Sequence, residues 1–245
     1  ENLRWEAERF RAGAVWGRSN YPYNFDSRVF EERNPVFAMH IKSNWRSFRA
    51  WGVSINSPWH HSPYFRRKEG VIKERRDFTV DWENLQRPGL SPDFIFERAE
   101  RMDLDVGADR SEWVPNEAGE ALIRNNMPLL AYIAGKSFAF TSQDHNFLSG
   151  LKFEKQLIVI NNSRETVTCE CTWRLNLPDP VIGSKTFSLE TGKQERIPLS
   201  FEISSGISPG QYQLSTSVKF SNTEIHNDTF DIHILPELRL SKLNS

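Results

Sequence analysis

Val167-Thr168-Cys169-Glu170-Cys171-Thr172-Trp173-Arg174-Leu175 alternates one residue type with another without a break. Side chains two apart on an extended chain share a face, so Val167, Cys169, Cys171, Trp173 and Leu175 enter a core while Thr168, Glu170, Thr172 and Arg174 meet water. The pattern predicts an antiparallel strand with one solvated face. The same alternation recurs in Ile197, Leu199, Phe201 and Ile203, in Tyr212, Leu214, Val218 and Phe220, and in Phe230, Ile232 and Ile234. Phe153 to Ile160 is a more continuous apolar run. Turn-forming clusters separate these stretches: Asn161-Asn162-Ser163, Pro178-Asp179-Pro180, Thr191-Gly192-Lys193 and Ser208-Pro209-Gly210. With Leu129 to Ile133 and Phe138 to Phe140 added, about seven short strands follow Pro128, the size and rhythm of an immunoglobulin-like β-sandwich. Tyr212, just after a turn, either ties a strand end to backbone through its hydroxyl or fills the core.

Cys169 and Cys171 point to the same face about 7 Å apart, at or beyond the usual reach of a disulfide. Without a further Cys-X-X-Cys partner they read as small buried core residues rather than zinc ligands.

Before Pro128 the chain changes character, holding seven of the eight tryptophans. Asn34 followed by Pro35 is a helix cap with proline at the first helical position. Phe37, Ile41, Trp45 and Phe48 then form a stripe at helical spacing, with Lys42, Arg46 and Arg49 turned away and Gly52 as the stop. Val53-Ser54-Ile55-Asn56 reads as a short strand, and Ser57-Pro58-Trp59-His60-His61-Ser62-Pro63 as the loop after it. Helix, turn, strand and loop form the repeating unit of α/β folds, in which loops after strands carry substrate groups.

The whole chain excludes several classes. Its 245 residues are 38% hydrophobic, enough for a core, and 31 Lys+Arg against 32 Asp+Glu leave a net charge of -1. Overall charge therefore gives no pull toward nucleic acid or an anionic membrane, and no apolar run reaches the roughly 18 to 20 residues of a membrane helix. The paired His60 and His61 lack the spacing of a metal site, and Asp103, Asp105 and Asp109 lack the closing glutamate of a calcium loop. Neither a metal nor a cofactor is expected. The basic run from Arg66 to Arg76 is broken by Glu69 and Glu74 and reads as a solvated connector.

Asn44-Trp45-Arg46-Ser47-Phe48-Arg49-Ala50-Trp51-Gly52-Val53-Ser54, followed by Ser57-Pro58-Trp59, resembles the last helix and strand of the catalytic barrel in glycoside hydrolases of the β-galactosidase type. Asn125-Asn126-Met127-Pro128-Leu129-Leu130-Ala131-Tyr132-Ile133 resembles the lead-in to the β-sandwich that follows such barrels. The resemblance implies a multidomain α/β plus all-β chain: residues 1–64 as the end of a (β/α)8 barrel, 65–127 as a connector, 128–236 as an immunoglobulin-like β-sandwich and 237–245 as a tail. It also implies an enzyme that cleaves O-glycosidic bonds of β-linked, galactoside-like saccharides, a periplasmic or secreted location, and an upstream barrel segment as partner. Homo-oligomerisation is compatible with it.

Hydrolysis of this kind uses two carboxyl groups, about 5 to 5.5 Å apart for retention of configuration and roughly 6.5 to 9.5 Å for inversion. Of the candidates Glu6, Glu8, Asp26, Glu31 and Glu32, Glu6 and Glu8 lie in a helical, strongly charged stretch and Glu31 and Glu32 just before the Asn34 cap, settings that suit solvated surface. In the family it resembles both carboxylates sit on barrel strands before the last one, and nothing in residues 1–33 reads as a strand ending in a glutamate, so the resemblance implies a catalytic pair upstream of Glu1. Trp59 is the substrate-binding candidate, its indole suited to stacking on a sugar ring while Asn56 and His60 hydrogen-bond hydroxyls. Two other classes stay open: a non-catalytic carbohydrate-binding or accessory sandwich, and a structural or assembly protein.

Overall fold

A computed structural model describes residues 34–53, 56, 64–71, 76–77, 98–99 and 110–236. The chain divides into two compact units, residues 1–42 with 55–123, and residues 43–54 with 124–245.

Within the first unit, β1 (Phe65–Arg67) pairs antiparallel with β4 (Trp113–Pro115), and β2 (Arg76–Asp77) pairs antiparallel with β3 (Arg98–Ala99). Helix α1 spans Asn34–Ala50 and α2 spans Glu117–Asn126; their residues from Ser43 and from Arg124 belong to the second unit. Asn116 caps α2, its side-chain oxygen accepting the Gly119 amide at 2.9 Å. Gly119 is required there, because a Cβ would lie 2.1 Å from the Tyr64 carbonyl oxygen.

The second unit is a β-sandwich. Its strands are β5 (Leu129–Ala134), β6 (Asn146–Leu148), β7 (Lys152–Asn161), β8 (Val167–Leu175), β9 (Val181–Leu189), β10 (Lys193–Glu202), β11 (Gly210–Phe220) and β12 (Ile225–Leu235). One sheet has the order β10-β7-β5 and the other β6-β12-β11-β8-β9. All pairings are antiparallel except β12 with β6. The inward rows of the two sheets share one core, in which Phe153, Leu157, Cys169, Cys171, Leu175, Leu214, Val218 and Ile232 lie buried. Phe153 stacks on Phe201 at 5.6 Å and meets Phe147 edge-on at 4.9 Å.

The alternating stretch 167–175 is strand β8 as read, and the thiols of Cys169 and Cys171 are free and buried. Burial pushes them up to about 11 and about 12, which removes the thiolate at neutral pH. Tyr212 plays the tying role, donating its hydroxyl proton to the Ser208 carbonyl at 2.9 Å. Two strands differ from the sequence reading. Phe138 to Phe140 forms a turn, with Phe138 fully exposed, and Val181–Leu189 is an edge strand whose mostly exposed side chains hide its period.

The continuous run in β7 has a physical cause: its sheet is covered on both faces. Leu130, Tyr132, Ala134, Ile158 and Ile160 make a second cluster on the outer face, closed by Ala50 at the end of α1 and by Phe140.

The (β/α)8 expectation is overturned. The described residues hold two α-helices among twelve strands, and the strands before the sandwich pair antiparallel, whereas a barrel is built from parallel strands with a helix after each. Val53 and Asn56 lie outside any strand. Helical spacing correctly located α1 but carried no information about what its C-terminal end would pack on. Ala50 packs on the sandwich.

Leu214 is completely buried between the sheets, so Leu214→Ala should lower unfolding free energy by about 2–5 kcal/mol in urea titrations of the 245-residue chain. A loss below about 1 kcal/mol would show that the two inner rows do not form a close-packed core.

Candidate functional site

The second unit carries a connected group of buried polar side chains where the end of α1 meets the sandwich. Helix α1 ends in a paired hydrogen-bond closure, Gly52 N–H to the Arg49 carbonyl at 3.0 Å and Val53 N–H to the Phe48 carbonyl at 2.9 Å. Gly52 has φ +79°, the left-handed conformation this closure needs. The Ala50 carbonyl accepts from Arg196 Nη2 at 2.8 Å and Gln194 Nε2 at 3.1 Å, both on β10. Cations at this end also suit the helix dipole.

Arg46 was expected on the solvent side and is instead 8% exposed. Its guanidinium grips the Asp228 carboxylate with two bonds, Nη1 to Oδ2 at 2.9 Å and Nη2 to Oδ1 at 3.2 Å, while Nε donates to Asn125 Oδ1 at 3.0 Å. The planar fork thereby satisfies α1, α2 and β12 together. Tyr132 on β5 lies under the guanidinium at 4.8 Å and donates its hydroxyl to the Arg46 carbonyl at 3.0 Å. Burial is the main reason its phenol is pushed up to about 12. Arg49, one turn further, donates to the carbonyls of Asn125, Met127 and Pro128.

Asp228 and His226 also complete a sheet edge. Strand β5 pairs with β7 on one side only, which leaves alternate amides on its other side without a strand partner. Asp228 Oδ2 accepts the Ile133 amide at 2.9 Å, and His226 Nδ1 accepts the Ala131 amide at 3.3 Å. The Gly135 amide goes to the Phe140 carbonyl at 2.8 Å. The open edge is thus closed by side chains from the opposite sheet. Because Nδ1 accepts, the ring proton sits on Nε2, which faces Glu224 at 3.4 Å.

The sequence carried a signal for this pair that the apolar pattern obscured. Counting back by two from Ile234, Ile232 and Phe230 reaches Asp228 and His226, so two polar residues occupy core-facing positions of β12. The proposed sugar contacts fare differently. Trp59 and His60 lie outside the described residues, as do Glu6, Glu8, Asp26, Glu31, Glu32, Asp103, Asp105 and Asp109. Asn56 is half-buried, with its side-chain nitrogen unpartnered. Among the described residues, no group of three or more His, Cys, Asp or Glu is placed to hold a metal, and no helix is long and apolar enough to cross a membrane.

No family model and no curated protein matches the chain. Similar solved structures include a family 123 glycoside hydrolase from Clostridium perfringens, 11% identical over 46% of this chain with a TM-score of 0.30. The chain spans 28% of that hydrolase's own length. A CARDB domain from Pyrococcus furiosus is 16% identical over 44% of this chain and 87% of its own, with a TM-score of 0.33. A PapD-like domain of human CEP192 is 8% identical over 45% of this chain and 87% of its own, with a TM-score of 0.30. Scores of this size do not distinguish among these proteins.

Two outcomes check the site. Arg46→Met strands a buried carboxylate and should cost about 3–5 kcal/mol of unfolding free energy, whereas adding Asp228→Asn should restore part of it. Equal losses in the single and double variants would show that the pair is not coupled. The second outcome concerns pH. Burial, with Arg124 second, holds the His226 imidazole below its ordinary value. The unfolded chain therefore takes up the proton first as pH falls, so this contribution to stability is complete above about pH 6.5 and is lost below it. Urea midpoints should fall from pH 7 to pH 5, and fall less in His226→Asn; parallel profiles would remove His226 from the account.

Proposed function

We propose that this chain is the C-terminal portion of a glycoside hydrolase that cleaves O-glycosidic bonds of β-linked, galactoside-like saccharides, and that its β-sandwich is a non-catalytic module that fixes the end of helix α1. One observation carries the reading. The two stretches that resemble β-galactosidase-type hydrolases, 44–54 and 125–133, interlock: Arg46 reaches Asn125, Arg49 reaches the carbonyls of Asn125 and Met127, and Tyr132 returns a bond to Arg46. A family-specific junction would be expected to consist of such mutually dependent segments. The chemistry of the sandwich agrees with a supporting role, since Asp228 is committed to a guanidinium and a backbone amide and is not available for proton transfer.

The test compares the 245-residue chain with the native polypeptide that carries it, using aryl β-galactosides and a panel of other aryl β-glycosides. Turnover is expected from the native polypeptide and none from the 245 residues alone. Absence of turnover from both, together with retention of a saccharide on an affinity gel, would replace this reading with that of a carbohydrate-binding module.

A further inference from the structure

Beside the end of α1, a cavity of about 380 Å³ opens between the β7–β8 turn and the β9–β10 turn. That lies within the range of small-ligand sites, roughly 300–1,000 Å³. Val53 and the buried Ile160 give it an apolar side, Asn162 and Gln194 bring amides, and Arg49 and Lys193 bring two positive charges. No carboxylate lines it.

The two arginines of α1 differ in a way that bears on this cavity. Arg46 is neutralised by Asp228, while Arg49 meets only backbone carbonyl oxygens near the end of α2. Those carbonyls supply partial negative charge, not a counter-ion. Burial draws the Arg49 guanidinium below its ordinary value, opposed in part by the Tyr132 phenol and by no carboxylate. A half-buried cation of this kind is costly unless an anion approaches it. Lys193 adds a second charge across the opening and makes no ion pair among the described residues.

We infer that this cavity binds an acidic monosaccharide unit, its carboxylate or sulfate held by Arg49 and Lys193, its hydroxyls by Asn162 and Gln194, and its apolar ring face by the exposed Val53. The anionic character follows from the lining alone, and the sugar character rests on the carbohydrate reading above. The site is separate from Asn56, Trp59 and His60.

The experiment is calorimetric or NMR titration of the whole 245-residue chain at low ionic strength with galacturonate, galactose and sodium sulfate. Galacturonate should bind more tightly than either of the others, and its affinity should fall as salt rises. Lys193→Gln, at an exposed position outside the helix clamp, should weaken galacturonate roughly fivefold, and Lys219→Gln, away from the cavity, should leave it unchanged. Galactose binding as tightly as galacturonate would overturn the charge reading, and sulfate binding as tightly as galacturonate would overturn the sugar reading. No galacturonate binding, or binding indifferent to Lys193→Gln, would overturn the site. None of these results bears on turnover by the native polypeptide, which separately decides the hydrolase reading.

Discussion

The Asp228 carboxylate is the constraint around which the second unit is organised. A buried charge needs both a counter-ion and hydrogen bonds, and Asp228 obtains the first from Arg46 of α1 and one of the second from the Ile133 amide of β5. These two needs tie together elements far apart in sequence. The amide that Asp228 accepts belongs to an edge strand that would otherwise present an unpaired donor at Ile133, and the guanidinium that neutralises it belongs to a helix whose end is also held by Arg196, Gln194 and the carbonyls that Arg49 meets. Removing either partner leaves a deficit at the other, so Asp228 couples closure of the edge to docking of the helix.

The double covering of the three-stranded sheet follows from the same arrangement. With Arg46 and Ala50 fixed on the sandwich, Leu130, Tyr132, Ile158 and Ile160 bury an outer face that an isolated sandwich would expose to water. About 25 cal/mol per Å2 of apolar surface makes such exposure unfavourable and prone to association. The β-sandwich is therefore built with the helix end as a structural component rather than an appendage.

How much of this could be read from the residues depends on where each side chain finds its partner. Strand β8 was fully legible because its partners lie directly across a sheet and impose a strict period of two. Helix α1 and its stop at Gly52 were legible because spacing and capping are local. Arg46 was misread because its partner lies 182 residues away, and a charge on the flank of a helical stripe has the same local signature whether it meets water or a buried carboxylate. The barrel expectation failed for a related reason: one helix followed by a short apolar stretch is compatible with many architectures. Strand β9 was missed because an edge strand with both faces largely in water need not alternate at all.

The candidate site was legible in principle through Asp228 and His226. Polar residues at two successive core-facing positions demand partners, and the demand could have been inferred before the partners were known. A carboxylate and an imidazole acceptor side by side also specify what they can receive: backbone amides and a cation. An unpaired strand edge supplies amides, and a guanidinium supplies the cation together with planar geometry. Polar interruptions in an otherwise apolar strand row thus encode the docking of a remote element, whereas the apolar row itself encodes only the sheet.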